Sequence, residues 1–146
     1  MKHEEVLAAI RDVKDFPVEG IIFKDITTVL SNPEYLKWMK DEIVNLYRAY
    51  GITKVVGIES RGFILGPAVA MDLGAGFVPV RKPGKLPAET IEVSYAKEYG
   101  VDTIQIHADA LNENDVVLLH DDLLATGGSM AAALELVRKF NVKKVY

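Results

Sequence analysis

The sequence predicts an α/β fold, a mostly parallel twisted sheet flanked by helices, on two observations. From Gly51 onward, apolar runs too brief for helices alternate with segments of helical periodicity, the pattern of β-α-β units. Such crossovers are right-handed and generate parallel strands with helices on the faces of the sheet. The size agrees. A chain of 146 residues, 49% of them apolar, suits one domain that buries roughly 70% of the surface its unfolded chain exposes. A single domain over 1–146 is expected, with an N-terminal part at 1–35 and a core at 36–146.

In chain order, Val6, Leu7, Ile10 and Val13 recur at helical spacing and predict an amphipathic helix over 2–14. Residues 15–25 follow, in which Pro17 and Gly20 frame an apolar run (Ile21, Ile22, Phe23) too brief for a helix and without strand alternation; an ordered loop is expected. Ser31-Asn32-Pro33-Glu34 fits a capping box, with Ser31 as the cap and Glu34 reaching back. The helix it opens has Leu36, Met39, Ile43, Leu46, Tyr47 and Tyr50 as its buried stripe and Gly51 as its left-handed stop. A buried strand at 54–58, a helix at 62–73 closed by Gly74, and a strand at 77–80 make the first β-α-β unit. Residues 90–95 and 101–107 alternate around Glu98-Tyr99-Gly100, predicting an antiparallel excursion from the sheet. A strand at 115–120, a helix at 128–140 and a strand starting at 142–146 complete the pattern.

Composition narrows the function. With no cysteine, disulfide frameworks, thiolate zinc sites and cysteine nucleophiles are excluded. The mixed charges of Met1-Lys2-His3-Glu4-Glu5 lead into no apolar signal core, and no uncharged stretch approaches the roughly 20 residues that span a bilayer. A cytoplasmic protein is expected. Seventeen basic and 21 acidic residues leave a net charge of −4, so neither nucleic acid nor an anionic membrane is an expected partner, and any bound anion must meet a local positive site. His3, His107 and His120 lack metal-ligand spacing, and His120 reads as a packed strand end.

One window carries most of the chemistry. Val116-Val117-Leu118-Leu119-His120 reads as a buried strand, Asp121-Asp122 follow, and Ala125-Thr126-Gly127-Gly128-Ser129 turns into a helix. Two glycines let backbone amides approach an anion, two hydroxyls add donors, and the helix start presents free N–H groups with a partial positive charge. That is a phosphate cradle. The two acids would repel phosphate in contact but suit a vicinal diol one sugar length away, because diols donate and carboxylates accept. Cradle and acids together describe a ribose 5-phosphate. Rival nucleotide signatures fail: Gly57 to Gly62 has Walker spacing but Phe63 where lysine is required, and Gly74-Ala75-Gly76 lacks the third glycine.

These residues resemble the phosphoribosyl pyrophosphate (PRPP) signature of the type I phosphoribosyltransferases. Further segments resemble the adenine branch of that family in the same order: Phe16-Pro17, Gly20-Ile21-Ile22-Phe23-Lys24-Asp25, Gly57-Ile58-Glu59-Ser60-Arg61-Gly62-Phe63, Arg81-Lys82-Pro83-Gly84-Lys85-Leu86-Pro87 and Ser94-Tyr95-Ala96-Lys97-Glu98-Tyr99-Gly100. The resemblance implies the type I phosphoribosyltransferase fold with an N-terminal base-binding hood and a flexible catalytic-loop hairpin. It also implies that this chain stops before the last strands of the family's sheet.

Each block also has a physical reading. Ser60 and the Arg61 fork, after a strand and before a helix, form a second anion site suited to pyrophosphate. Arg81, Lys82 and Lys85 concentrate positive charge on a loop shaped by Pro83 and Gly84 and are assigned to pyrophosphate; the resemblance suggests action across a homodimer interface. In the hood, Phe23 offers a ring face to adenine while the backbone of Ile22 and Lys24 reads its polar edge. Without the resemblance, residues 21–23 read equally well as a core plug. Glu98 reads alone as a surface glutamate; the resemblance makes it the catalytic residue, with Tyr99 helping to close the loop.

The implied reaction is attack of adenine N9 on PRPP, giving AMP and pyrophosphate. Mg2+ is expected as cofactor, held mainly by PRPP oxygens and waters with no direct protein ligand. Two alternatives stand beside it: transfer to a 6-oxopurine (hypoxanthine, guanine or xanthine), and a non-catalytic PRPP-sensing regulator of the same fold.

Overall fold

The computed structural model describes residues 2–97, 99–121 and 128–146. The chain divides into two compact units, Met1–Asn45 and Leu46–Tyr146.

The first unit holds α1 (Lys2–Ala9), β1 (Arg11–Lys14), β2 (Ile22–Asp25), α2 (Thr27–Leu30) and most of α3 (Pro33–Tyr47). Four sequence expectations are corrected here. The helix expected over 2–14 ends at Ala9, and the loop expected over 15–25 is in part a strand, because β1 and β2 pair antiparallel with Val13 opposite Phe23. Opposite charges face each other across that ladder: Arg11 Nε donates to Asp25 at 2.9 Å and Lys24 Nζ to Asp12 at 2.6 Å. Cross-strand pairs of this kind favour the strand over the helix that local spacing suggested. The Thr27 hydroxyl, the Arg11 guanidinium and the Thr27 amide hold the Asp25 carboxyl down at about 2.

The third correction concerns the cap of α3. Ser31 is helical and closes α2, its N–H donating to Thr27 O. Asn32 caps α3 instead, its Oδ1 accepting from the amides of Glu34 at 3.0 Å and Tyr35 at 3.3 Å. Asparagine is as good an N-cap as serine, and Pro33 then occupies the first helical position, where a missing N–H costs nothing. The buried stripe also shifts. Val44 is buried, whereas Leu46 is 67% and Tyr50 48% exposed. The last turn, Arg48–Tyr50, tightens to a 3-10 helix and carries Tyr50 off the stripe, to stack on Tyr146 at 4.7 Å. Gly51 ends it at φ 67°, as expected.

The second unit is built on a four-stranded parallel sheet in the order β4-β3-β7-β8, with β3 at Lys54–Ile58, β4 at Gly76–Val80, β7 at Val116–His120 and β8 at Lys144–Val145. Helix α4 (Gly62–Leu73) connects β3 to β4, and α5 (Gly128–Arg138) lies between β7 and β8. Gly74, at φ 70°, stops α4. Strand β3 lies inside the sheet and is buried at Val55, Val56, Gly57 and Ile58, which is why it reads as a continuous apolar run. Val56, Ile58, Val78, Val80 and Val117 share a core with Ala132, Ala133, Leu136 and Val137 of α5. Each fully buried valine contributes about 1.5–3 kcal/mol. The expected hairpin is present as β5 (Thr90–Lys97) and β6 (Gly100–His107). It forms a sheet of its own, joined to Arg81 after β4 by one bridge at Gln105, and its Val93, Ile104 and Ile106 enter the same core. Among the described residues no helix is long and apolar enough to cross a membrane.

At the amino end of β7, Asp115 is 5% exposed. It accepts from the Thr53 hydroxyl at 2.8 Å, the Asn112 amide at 2.9 Å and Lys54 Nζ at 3.2 Å. Burial alone would raise this carboxyl, but the Thr53, Asn112 and Lys54 contacts outweigh it and hold the group below its ordinary value. Its stabilisation is therefore present above the unfolded-state carboxylate value and is lost as pH falls through the lower folded one. Asp115→Asn is expected to cost about 1–3 kcal/mol at neutral pH, and thermal melts should show the gap from the wild type closing in acid. A gap of constant size would mean that the ionised form is not what stabilises.

Candidate active site

In parallel sheets, ligands bind beyond the carboxyl ends of the strands, where neighbouring connections leave in opposite directions. Here that point lies between β3 and β7, since α4 carries the chain from β3 toward β4 while α5 leads from β7 to β8. The two strand ends are in close contact: a Cβ on Gly62 would sit 2.8 Å from His120 O, and one on Gly57 2.6 Å from Gly62 O.

A cleft of roughly 190 Å3 opens at these strand ends. Its polar lining is Glu59 after β3, Arg81 and Lys82 after β4, Tyr95 and Asp102 from the hairpin, Asp121 after β7, and Ser129 in the first turn of α5. Four residues singled out in the sequence thus share one cleft: Arg81, Lys82, Asp121 and Ser129. Gly128 opens α5 beside them. Ser60 and Arg61 follow Glu59 and lead into α4, their carbonyls accepting from Phe63 N–H at 3.1 Å and Ile64 N–H at 3.0 Å; the Glu59–Ser60 peptide is cis. Asp122, Ala125, Thr126, Gly127 and the catalytic candidate Glu98 lie outside the described residues.

Glu59, Tyr95 and Asp102 were not read as site residues. Glu59 Oε1 accepts from Arg81 Nε at 3.1 Å and from the Lys82 amide at 3.0 Å. It thereby seats the basic loop on the end of β3, and Arg81 also lies over the Phe63 ring at 5.9 Å. Burial would raise the Glu59 carboxyl, but the Lys82 amide, Arg81 and the charge of Lys85 hold it below its ordinary value. Its place directly before Ser60-Arg61 was the available signal. Tyr95 and Asp102 face each other across the hairpin, with the hydroxyl 3.5 Å from Oδ2 and Lys97 Nζ 3.2 Å from Oδ1. The Lys97 hydrogen bond does most to lower the Asp102 carboxyl, burial opposes it, and the charges of Lys97 and Lys82 assist. Burial raises the Tyr95 hydroxyl, reinforced by Asp102 and by the charge of Asp121. The strand alternation of the hairpin, counted from its turn, was the signal for this pair.

Of the other candidates, Lys85 is exposed on the basic loop and Tyr99 is 87% exposed at the hairpin turn. In the first unit, Ile22 and Lys24 are exposed on β2, while the half-buried Phe23 meets Phe16 edge-on at 5.2 Å. His120 Nε2 is shut off from solvent and has no hydrogen-bond partner among the described residues. Burial pushes its imidazole below the ordinary value, with Asp121 partly offsetting.

A parallel-sheet switch point that gathers Asp121, a basic loop and a helix start has the arrangement expected of a phosphoribosyl-transferring domain. Residues 25–146 match the phosphoribosyl transferase domain family. The whole chain is 64% identical to an adenine phosphoribosyltransferase of Bacteroides fragilis and covers 82% of that protein. Among solved structures, the Rhodothermus marinus adenine phosphoribosyltransferase superposes with a TM-score of 0.91 at 52% identity, over 98% of this chain and 81% of that one. The Giardia lamblia APRTase complexed with 9-deazaadenine gives 0.93 at 46%, over 100% and 82%. The chain belongs to the adenine phosphoribosyltransferase family.

Proposed function

We propose that this chain transfers the 5-phosphoribosyl group of PRPP to N9 of adenine, giving AMP and pyrophosphate with inversion at the anomeric carbon, as a step of purine salvage. The observation that carries the reading is the cleft in which Asp121 and Ser129, the two described ends of the ribose 5-phosphate motif, meet Arg81 and Lys82. The 9-deazaadenine bound by the Giardia lamblia relative supports adenine as the base.

In this reading Asp121 and Asp122 accept the ribose hydroxyls, and the amides and hydroxyls of Ala125, Thr126, Gly127, Gly128 and Ser129 enclose the 5′-phosphate. Lys82, Lys85, Ser60 and Arg61 receive the pyrophosphate, with Arg81 steadied through Nε by Glu59. Ile22, Phe23 and Lys24 hold the base. As the glycosidic bond loosens toward an oxocarbenium-like state, Glu98 takes the proton that the purine nitrogen loses, and Tyr99 helps the hairpin exclude water. Positioning base and sugar in line supplies several kcal/mol of the rate enhancement.

Among the described residues, no group of three or more histidines or acids could hold a metal ion. In this reading Mg2+ is carried in on the pyrophosphate and ribose oxygens of the substrate, with Asp121 and Asp122 on the sugar. When bound, the ion neutralises charge on the departing pyrophosphate. The reading includes a cytoplasmic homodimer.

The test is AMP formation from adenine and PRPP with magnesium, run beside hypoxanthine, guanine and xanthine. Adenine is expected to be preferred by a hundredfold or more, since a site built to pair one base's polar edge leaves groups unpaired against another (~10²–10⁵). Equal rates on the 6-oxopurines would move the assignment to that branch, and PRPP binding without turnover on any base would make the chain a sensor.

A further inference from the structure

The basic loop after β4 is fastened at both ends to one strand, β6. At its start, Arg81 N–H donates to Gln105 O at 2.9 Å and Gln105 N–H to Arg81 O at 2.7 Å. At its end, Ala88 N–H donates to His107 Nε2 at 3.3 Å, Ala108 N–H to Glu89 O at 2.9 Å, and Thr90 opens the ladder opposite His107. Between these points lies Lys82-Pro83-Gly84-Lys85-Leu86-Pro87. The two prolines have no N–H to give, Lys85 N–H reaches Lys82 O only at 3.4 Å, and Ala88 is the first residue after Pro87 with an amide to offer. It is caught by a side chain. An imidazole nitrogen that accepts must carry no proton, so His107 holds its hydrogen on Nδ1. Strand β6 meanwhile starts at Gly100, beside the hairpin turn that bears Tyr99. One strand carries the catalytic-candidate turn at one end and both roots of the basic loop at the other.

We infer that His107 is a positioning residue for the transfer reaction, whose Nε2 pins the returning arm of the basic loop so that Lys82 and Lys85 are held ready for the diphosphate of the substrate. It rests on the reading of those lysines as pyrophosphate contacts. His107 touches neither substrate nor reacting atoms in this scheme. An unpinned arm spreads the two ammonium groups over more conformations, and apparent affinity falls with the fraction of chains in the competent one. The effect belongs to PRPP binding and not to the adenine side.

The experiment compares His107→Ala, His107→Gln and Lys85→Ala with the wild type. KM for PRPP, KM for adenine and kcat are measured, together with amide exchange at Ala88 by NMR and thermal melting as a check on folding. Loss of one ordinary hydrogen bond predicts about a threefold to tenfold rise in KM for PRPP in His107→Ala. Faster exchange at Ala88 should accompany it, with kcat and KM for adenine within about twofold. The glutamine carbonyl can accept the same amide, so His107→Gln should restore both readouts. A raised KM for PRPP in Lys85→Ala with none in a folded His107→Ala overturns the role of His107 and leaves the reading of the loop standing. So does unchanged Ala88 exchange, or failure of glutamine to rescue. No change in KM for PRPP in Lys85→Ala overturns the loop reading itself, and the inference with it.

Discussion

Replacing Asp121 and Asp122 together by asparagine is expected to lower kcat/KM for PRPP by about a hundredfold to ten-thousandfold. Each carboxylate is assigned a charge-assisted hydrogen bond from a ribose hydroxyl, and such bonds are worth about 1.5–3 kcal/mol apiece. Asparagine keeps the size and one acceptor oxygen but removes the charge, and its amide presents donors to hydroxyls that are themselves poised to donate. The loss should fall on PRPP and AMP together, since both carry the diol, and leave adenine binding to the free enzyme little altered. Asp121 lines the cleft, so the single Asp121→Asn variant should already lose about tenfold to a hundredfold. Steady-state kinetics in both directions measure this. Turnover at the wild-type rate in the double variant would show that the sugar is held elsewhere.

Gly57→Ala should be the most damaging single-methyl change in the second unit. The new carbon would lie 2.6 Å from the Gly62 carbonyl oxygen, 2.7 Å from Phe77 Cε1 and 2.8 Å from Phe77 Cζ. A phenyl ring can turn aside, but the Gly62 carbonyl belongs to the first turn of α4 and moves only with the helix. Strand β3 cannot retreat, being paired on both edges, to β4 and β7. Overpacking of this kind costs about 1–3 kcal/mol and more when backbone must shift, or a fall of about 3–10 °C in melting temperature for a chain of this size. Phe77→Leu in the same chain should recover part of the loss by relieving the ring contact, and none of that due to Gly62. Because the shift displaces the segment that bears Ser60 and Arg61, KM for PRPP should rise as well. An unchanged melting temperature would show that the strand end and the helix start are not locked together.

The parallel sheet was legible because β3 and β7 are short apolar runs and helical periodicity follows each strand, with α4 stopped at the left-handed Gly74, each a signal carried within about ten residues. The first unit was harder. Residues 11–14 and 22–25 owe their strand form to each other, through Arg11 with Asp25 and Asp12 with Lys24, and neither segment alternates strongly by itself. Ser31 looked like a cap because the motif contains it, yet α2 had already claimed its backbone. The site divided the same way. Asp121 and Ser129 stand in one continuous run and were read from it. Glu59, Tyr95, Asp102 and His107 come from three separate stretches and acquire meaning only through their partners: Arg81, each other, and Ala88.

Residue order alone determined the class of fold and was enough to propose the phosphate-binding turn and the two acids, since hydrophobic period, glycine conformation and the chemistry of adjacent side chains act over a few residues. It was the packed chain that set which strand ends adjoin, where the basic loop is moored and which carboxylate braces Arg81. Those choices depend on hydrogen bonds between segments 20 to 60 residues apart, whose pairing is selected by the burial of the whole core and leaves no periodic trace in either segment.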